Sequence, residues 1–303
     1  MHVAEVSEFG GPEVLVLAER PDPAPAPDQA VVRIRAANVN PTDLATRAGV
    51  HSPPGLELPY VPGWDLAGEV TATGSEVNGF APGDRVVGMI PFGRIGGRVG
   101  SYAQAAAVEP DWLALLPGEV PDAVAATLPL NALTARQALD LIAAPAGSTL
   151  LVTGASGAVG GFATQLAARE GVRVVAQATH DDEDWVASLG AADVLPRSAD
   201  LARIGAVDAV LDAVPVGPSS TACLRDGGVA VFTRPPGASP TRGLRFETVR
   251  VQVDPVALRA LAGDLVAGRL RTRVAEVVSL ADAPRAHALA EAGGLRGKVV
   301  LAP

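Results

Sequence analysis

A predicted strand runs directly into a glycine-rich helix start in the middle of this chain. Residues 148–165 read STLLVTGASGAVGGFATQ, with glycines at Gly154, Gly157 and Gly160. Such glycines allow a tight turn, a close approach of the backbone to a phosphate, and close packing of the helix on the sheet. A helix start that uses small residues only for packing would show the same pattern, so its meaning depends on the surrounding elements.

Predicted strands and helices alternate after about residue 117. The runs TLLVT, RVVAQA, DVL, VDAVLDAV and GVAVFT are separated by helical patterns, which predicts βαβ units around a doubly wound parallel sheet. Before residue 117, short β-rich runs alternate with Gly and Pro turns, which is typical of an antiparallel β domain. The tail adds a strand, a helix and a final strand. We therefore expect an α/β protein with two domains.

Composition excludes several classes of protein. The net charge of −9, without a basic stripe, argues against binding to nucleic acid. The N-terminus lacks the pattern of a signal peptide, and no apolar run reaches the ~20 residues of a membrane span, so we expect a cytoplasmic protein that does not enter a membrane. The single cysteine, Cys223, excludes an internal disulfide and a multi-cysteine metal site.

The βαβ context makes dinucleotide binding the favoured interpretation of the glycine stretch. Its backbone N–H groups and the helix N-terminus would face the phosphates, and its residues are Gly154, Ala155, Ser156, Gly157, Ala158, Val159 and Gly160. After the second strand, Thr179 and His180 could accept a 2′-phosphate, whereas Asp181, Asp182 and Glu183 would repel one. Because acidic residues also favour the first turn of a helix, we interpret that run as a helix cap and predict NADP(H) in preference to NAD(H).

Several stretches form a longer pattern along nearly the whole chain. They are AANVNPTDLATRAG (36–49), LPYVPGWDLAGEVTATGSEVNGFAPGDRVVGM (58–89), SYAQAAAVEPDWLALLPGEV (101–120), AATLPLNALTARQAL (125–139), VTGASGAVGGFATQLA (152–167) and GKVVL (297–301). Together they resemble the zinc-independent quinone oxidoreductase branch of the medium-chain dehydrogenase/reductase superfamily. The resemblance implies a GroES-like β domain, residues 1–116 with 270–303, and a Rossmann domain, residues 117–269, with the active site in the cleft between them.

The resemblance also implies roles for the NPTD stretch. Asn40 would donate a hydrogen bond to the acceptor oxygen, Thr42 and Asp43 would line the catalytic site, and Pro41 would lie on the cofactor side. The composition of NPTD equally suits a turn with a helix cap, and both interpretations can hold. Zinc-dependent relatives have a cysteine where Asn40 stands and a His-Glu pair where Trp64 and Asp65 stand, so we predict no metal.

Further cofactor contacts follow from family position or from strand ends. The resemblance places Thr134 near the nicotinamide and Lys298 near the cofactor, where Lys298 could compensate for the missing basic residue at Asp181–Glu183. Ligands of parallel sheets bind at the carboxyl ends of strands, where the sequence has Asp212, Ala213, Phe232 and Thr233. Two departures from the family pattern are Ala158, where glycine is common, and Ala45, where many relatives have a tyrosine that can donate a proton.

The predicted function is hydride transfer from NAD(P)H to a quinone or an α,β-unsaturated carbonyl compound. Two alternatives stay open: an enoyl thioester reductase of the same superfamily, and a nucleotide-binding structural or sensing protein with little turnover, which the absence of the tyrosine favours. The apolar alternation in LRFETVRVQV is consistent with an edge strand that needs a partner, and the resemblance implies a homodimer.

Overall fold

The computed structural model describes residues 1–303, which form fifteen β-strands and seven α-helices. The strands are β1 (His2–Val6), β2 (Leu15–Glu19), β3 (Ala30–Asn38), β4 (Asp65–Thr73), β5 (Arg85–Met89), β6 (Ala105–Val108), β7 (Leu113–Leu115), β8 (Thr149–Thr153), β9 (Arg173–Ala178), β10 (Asp193–Pro196), β11 (Val207–Asp212), β12 (Leu224–Phe232), β13 (Arg245–Thr248), β14 (Val274–Ser279) and β15 (Lys298–Ala302). The helices are α1 (Pro41–Arg47), α2 (Asp122–Ala125), α3 (Pro129–Ile142), α4 (Ala158–Arg169), α5 (Glu183–Ser188), α6 (Pro255–Val266) and α7 (Ala283–Ala292).

The chain divides into two compact units. Unit 1 comprises residues 1–130 and 252–303, and unit 2 comprises residues 131–251. The family resemblance predicts these boundaries after residues 116 and 269. The boundaries in the structure lie closer together along the chain, because α2 packs on β3 and β4 and α6 packs on β7. Both helices therefore belong to the β-rich unit.

Unit 1 is built on a seven-stranded sheet. Its order is β14-β15-β3-β4-β5-β7, with β6 also paired to β3, and only the β14–β15 pair is parallel. The strands β1 and β2 form a separate antiparallel pair. Buried side chains such as Ile34, Leu66 and Leu301 join neighbouring strands into one core. This sheet fixes the relative positions of residues that are far apart in the sequence.

Unit 2 is a six-stranded parallel sheet. Its order is β10-β9-β8-β11-β12-β13, and every adjacent pair is parallel. In sequence order this is 3-2-1-4-5-6, the arrangement of a dinucleotide-binding doubly wound sheet, in which the order of strand addition reverses between β8 and β11. Leu151, Val210 and Phe232 lie in its core, where the Phe232 ring contacts Phe246. The predicted fold class, an antiparallel β domain joined to a doubly wound parallel sheet, is confirmed.

A buried histidine joins α7 to the loop before β6. His287 and Tyr102 are both fully buried, and the Tyr102 hydroxyl lies 3.0 Å from Nε2 of His287. Burial, with a smaller contribution from the nearby positive charge of Arg47, lowers the pKa of His287 to about 3. The imidazole is therefore neutral throughout the physiological pH range.

This neutral histidine makes unit 1 sensitive to acid. Below the ordinary histidine pKa of about 6.5, the unfolded chain binds a proton that folded His287 does not bind, so the free energy of unfolding falls as pH falls from about 6.5 towards about 3. We expect His287→Gln to remove this part of the pH dependence. Urea unfolding on both sides of about pH 6.5 measures it, with the exposed His51→Gln as control. An equal loss of stability in wild type and His287→Gln would contradict the assignment.

Candidate active site

The NPTD stretch forms the start of α1. Asn40 precedes the helix in an extended conformation, and Pro41 occupies the first helical position. The backbone N–H of Asn40 donates a hydrogen bond to Oδ2 of Asp43 at 2.9 Å. This bond links the N-cap residue to the third residue of the helix, as in a capping box. The expected helix cap is present. In this cap the Asp43 carboxylate points into the protein interior, and only 2% of the residue is exposed.

Three adjacent strands bring four polar side chains together. Asn38, at the end of β3, lies opposite Asp65 at the start of β4, and β15, which begins with Lys298, pairs with the other side of β3. Nδ2 of Asn38 donates to Oδ1 of Asn40 and to Oδ2 of Asp65, both at 2.9 Å. Nδ2 of Asn40 donates to the same Asp65 oxygen at 2.8 Å. Nζ of Lys298 donates to Oδ1 of Asn40 at 3.1 Å.

We call Asn38, Asn40, Asp43, Asp65 and Lys298 the polar cluster. Its first four members are at most 2% exposed, whereas Lys298 is partly exposed. The second carboxylate oxygen of Asp65 accepts a hydrogen bond from the backbone N–H of residue 130 at 2.7 Å. Both oxygens of Asp65 therefore organise the cluster, and its side chains are held by several directed contacts.

Burial shifts the pKa of every charged member of the polar cluster. Removal from water raises the pKa of Asp43 to about 8, opposed by the N–H groups of Asn40 and Gly63. Removal from water raises the pKa of Asp65 to about 6, opposed by the hydrogen bonds from Asn38 and Asn40. For Lys298 the same cause lowers the pKa to about 8, opposed by the negative charges of Asp65 and Asp43. Perturbed groups gathered in this way are typical of functional sites.

The sequence-based prediction missed two members of the polar cluster as site residues. Asp65 was considered only as a replaced metal-ligand position, and Asn38 was not considered. An acidic residue inside the otherwise apolar run of a central strand is a usable signal, because a buried carboxylate needs partners. Thr42, by contrast, was predicted, and it lies partly exposed in the first turn of α1.

The polar cluster does not fit a catalytic zinc ion. Zinc sites in proteins use thiolate, imidazole and carboxylate ligands in a tetrahedral arrangement, whereas Asn40 and Trp64 stand where relatives have a cysteine and a histidine. The cluster instead contains the Lys298 ammonium, and both Asp65 oxygens already accept hydrogen bonds. No group of three or more His, Cys, Asp or Glu side chains is arranged to hold a metal ion.

In unit 2, the predicted glycine turn connects β8 to α4. Gly154 has φ +62°, a left-handed conformation that glycine adopts without strain. Gly160 is buried, and a Cβ there would meet the carbonyl group of Gly154 and the Cα of Ala155. Gly157, directly before α4, is exposed, and its Cβ would meet no protein atom closer than 3.3 Å. One glycine therefore shapes the turn, one packs helix on strand, and one leaves an open space before the helix N-terminus.

The end of β9 lies next to this turn. The backbone N–H of Thr179 donates to Oγ of Ser156 at 3.2 Å, and the hydroxyl of Thr179 donates to the buried carboxylate of Asp182 at 3.1 Å. Thr179 therefore occupies the N-cap position of a short 3₁₀ helix, but its side chain does not accept a hydrogen bond from the backbone of that helix. His180 is exposed and lies 3.3 Å from a carboxylate oxygen of Glu183. A ribose hydroxyl or phosphate at this edge would meet hydroxyl, imidazole and carboxylate groups.

The other predicted contacts of unit 2 lie at strand ends or on α3. Asp212 ends β11 and is buried, and its carboxylate accepts hydrogen bonds from the Thr153 hydroxyl at 2.6 Å and the Gly217 N–H at 2.8 Å. Burial raises its pKa. The Phe232 side chain lies in the core, so only its backbone is available at the strand end. Ala155 is buried. The partly exposed positions are Thr134, Ala158, Val159, Ala213 and Thr233.

The chain is similar to known proteins both in sequence and in structure. The GroES-like domain of alcohol dehydrogenases matches residues 26–118, and the zinc-binding dehydrogenase family matches residues 189–301. A quinone-oxidoreductase homolog of chloroplasts from Spinacia oleracea is 38% identical over 204 residues, which cover 64% of this chain and 60% of that protein. The 2-methylene-furan-3-one reductase of Solanum lycopersicum is 32% identical over 307 residues, which cover 98% of this chain and 78% of that protein.

A solved structure shows the same architecture. The quinone oxidoreductase from Coxiella burnetii superposes with a TM-score of 0.88 at 29% identity, covering 100% of this chain and 99% of that chain. None of the helices has the length and apolar character that crossing a membrane would require.

Proposed function

The chain belongs to the quinone oxidoreductase-like group of the medium-chain dehydrogenase/reductase superfamily, and we propose that it reduces a quinone or an α,β-unsaturated carbonyl compound with NAD(P)H, without zinc. Dihydronicotinamide supplies a hydride, and the protein supplies binding, orientation and electrostatics. Unit 2 would hold the dinucleotide and the polar cluster of unit 1 would serve the acceptor.

The glycine turn carries this proposal. Gly157 is exposed directly before the N-terminus of α4, and an added Cβ there would meet only the carbonyl oxygen of Gly154, at 3.3 Å; this backbone fits a pyrophosphate that approaches it closely. The N–H groups of the turn would bind that pyrophosphate, and Thr179 and His180 would face the ribose at the end of β9. By family position, the remaining cofactor contacts would come from Pro41, Thr134, Asp212, Ala213, Phe232 and Thr233, whereas the contact of Lys298 with Asn40 favours the acceptor side over the predicted cofactor contact.

The acceptor side rests on the polar cluster. Asn40 is held at both ends of its amide, by Asn38 and Lys298 at the oxygen and by Asp65 at the nitrogen. These contacts favour a positioning role for Asn40, with the partly exposed Thr42 and Lys298 next to the acceptor. Since the donor set of the polar cluster does not suit zinc, we propose that no metal polarises the carbonyl and that acceptors which are already electron-poor, such as quinones and enones, are the favoured substrates.

We propose NADPH as the preferred donor. Asp182 occupies the N-cap position of α5, and its carboxylate is buried and accepts a hydrogen bond from the Thr179 hydroxyl, so we infer that it does not bind a ribose. One relative is named as an NADPH-dependent alkenal/one oxidoreductase, from Arabidopsis thaliana. Asp181 and Glu183 remain as negative charges near the same edge, and they would weaken the binding of a 2′-phosphate.

Cofactor binding and turnover test this function together. We expect NADPH to be oxidised faster than NADH in the presence of a benzoquinone, an o-quinone or a short enone. We expect Glu183→Gln to tighten NADPH binding by about fivefold, since one unit charge at about 4 Å contributes about 1 kcal/mol in water, and to leave NADH binding unchanged. Calorimetric titration measures both. Asp193→Asn is the matched control, because Asp193 lies at the start of β10, at the end of that strand opposite to its carboxyl end.

Three results would change the assignment. Preference for NADH would make the acidic run the cofactor selector. Tight dinucleotide binding without turnover of any acceptor would favour a binding or sensing protein, and turnover of an enoyl thioester alone would favour the related reductase. Location in the cytoplasm and homodimer formation through the outer edge of β13 stay predictions.

A further inference from the structure

Lys298 is the only lysine in the chain, among 24 Lys and Arg residues. Every other permanent side-chain cation is an arginine, which cannot lose its proton in a protein. The single lysine lies in the polar cluster, at the start of β15. Histidine apart, a side-chain cation that can release a proton is therefore present at one place, beside the residues that the proposed function assigns to the acceptor.

Within the polar cluster, Lys298 is the member that reaches the surface of unit 1. Asn38, Asn40, Asp43 and Asp65 are almost completely buried, whereas Lys298 is partly exposed. Nζ of Lys298 donates its hydrogen bond to the neutral amide oxygen of Asn40. An ammonium group carries three N–H donors, so this contact orients the group and leaves donors for a ligand.

We propose that Lys298 is the proton donor of the reduction, a role that rests on the proposed function. Hydride addition to the conjugated acceptor leaves a negative charge on its carbonyl oxygen. The O–H bond then forms as an N–H bond of the Lys298 ammonium breaks, and the electron pair of that bond stays on Nζ. A quinone ends as hydroquinone, an enone ends as an enol that becomes the ketone in water, and Lys298 regains its proton from water.

Burial and the neighbouring carboxyl groups determine the pKa of Lys298. The charged groups that act on its ammonium are Asp65, on β4, and Asp43, on α1. Burial lowers the pKa of Lys298 to about 8 in spite of these charges, so the group is charged at neutral pH and close to its titration. Such a pKa favours general acid catalysis.

Two variants separate proton donation from charge. In Lys298→Met, kcat/KM for a benzoquinone with NADPH should fall by about 100-fold or more, the usual contribution of a general acid. Wild-type activity should decrease as pH rises through about 8. Lys298→Arg keeps the charge and lacks a titratable proton, so it should retain part of the activity and lose this decrease. Thr42→Val removes the other partly exposed donor, which does not titrate in this range, and this variant should keep the decrease of activity as pH rises.

A second readout does not depend on turnover. Selective ¹³C-lysine labelling produces a single lysine signal, because the chain has one lysine, and its titration should occur near the lowered pKa of about 8 instead of about 10.4. NADPH dissociation constants of both Lys298 variants should stay within about threefold of wild type, about 0.7 kcal/mol. Thermal unfolding shows that the variants fold.

Defined results overturn the proposal. A more than tenfold weaker NADPH binding in Lys298→Met, with unchanged acceptor kinetics, would make Lys298 a cofactor ligand. An unchanged pH profile in Lys298→Arg would exclude it as the titrating acid. A wild-type protein that reduces no quinone or enone overturns the proposed function and this role together, whereas active wild type with an active Lys298→Met overturns this role alone.

Discussion

Gly157→Val is expected to abolish dinucleotide binding while the protein stays folded. Gly157 has φ −82°, which any residue adopts, and it is exposed, with no protein atom within 3.3 Å of an added Cβ. The valine side chain would therefore occupy the space that a pyrophosphate needs. We expect NADPH binding at least about 100-fold weaker, equivalent to about 2.8 kcal/mol, measured by calorimetric titration, with an unchanged unfolding temperature.

Two neighbouring glycines supply the controls for this prediction. In Gly160→Ala the new Cβ would lie 2.8 Å from the carbonyl carbon of Gly154 and 2.9 Å from the Cα of Ala155. Because these are backbone atoms, the turn must move, and both stability and binding should fall, stability by about 1–3 kcal/mol. In Gly161→Ala the nearest atoms are at 3.4 Å, so folding and binding should survive. Normal NADPH binding by Gly157→Val would contradict the proposed cofactor site.

Asp65→Ala is expected to destabilise unit 1 more than any surface substitution. Asp65 is fully buried and accepts hydrogen bonds from Asn38, Asn40 and the backbone N–H of residue 130. Its removal leaves the Asn40 amide and the backbone N–H of residue 130 without this acceptor, and it removes one of the two negative charges that act on Lys298. We expect a loss of about 3–5 kcal/mol, because several buried donors lose their acceptor and each such donor costs about 1–3 kcal/mol. Urea unfolding measures this loss.

Matched variants separate charge from shape at this position. Asp65→Asn keeps the size of the side chain and one acceptor oxygen, so it should cost less, about 1–3 kcal/mol. Glu69→Ala, on the same strand, removes exposed ion pairs with Arg33 and Arg35 and should change stability little. If Asp65→Ala were no more destabilising than Glu69→Ala, the polar cluster would not be the organised unit described here.

Local patterns predicted unit 2 well because each of its elements contains its own signal. TLLVT and RVVAQA are β8 and β9 residue for residue, and the helix expected from Gly157 begins at Ala158. The stretch SSTACLRD (219–226), one of the helical patterns between the predicted strands VDAVLDAV and GVAVFT, does not form an α-helix: residues Gly217–Cys223 form a 3₁₀ helix that is followed directly by β12. Hydrogen bonds from Ser220 and Thr221 to carbonyls three residues back stabilise that tighter helix.

The long edge strand expected near residues 244–253 is shorter in the structure. Only Arg245–Thr248 forms β13, paired in parallel with β12. Alternation of apolar residues continues beyond Thr248, but a strand also needs a neighbour to hydrogen-bond with. The chain instead leads to Asp254, whose carboxylate caps α6.

By itself, the sequence determined the features that depend on neighbouring residues: the glycine turn, the helix cap between Asn40 and Asp43, and the alternation of strands and helices. These need only short-range backbone geometry and periodic burial. The polar cluster was decided by tertiary structure alone. Asn38 meets Asp65 across 27 positions and Asn40 meets Lys298 across 258, because the register of three strands brings them together, and no local pattern encodes which residues will face each other across a sheet.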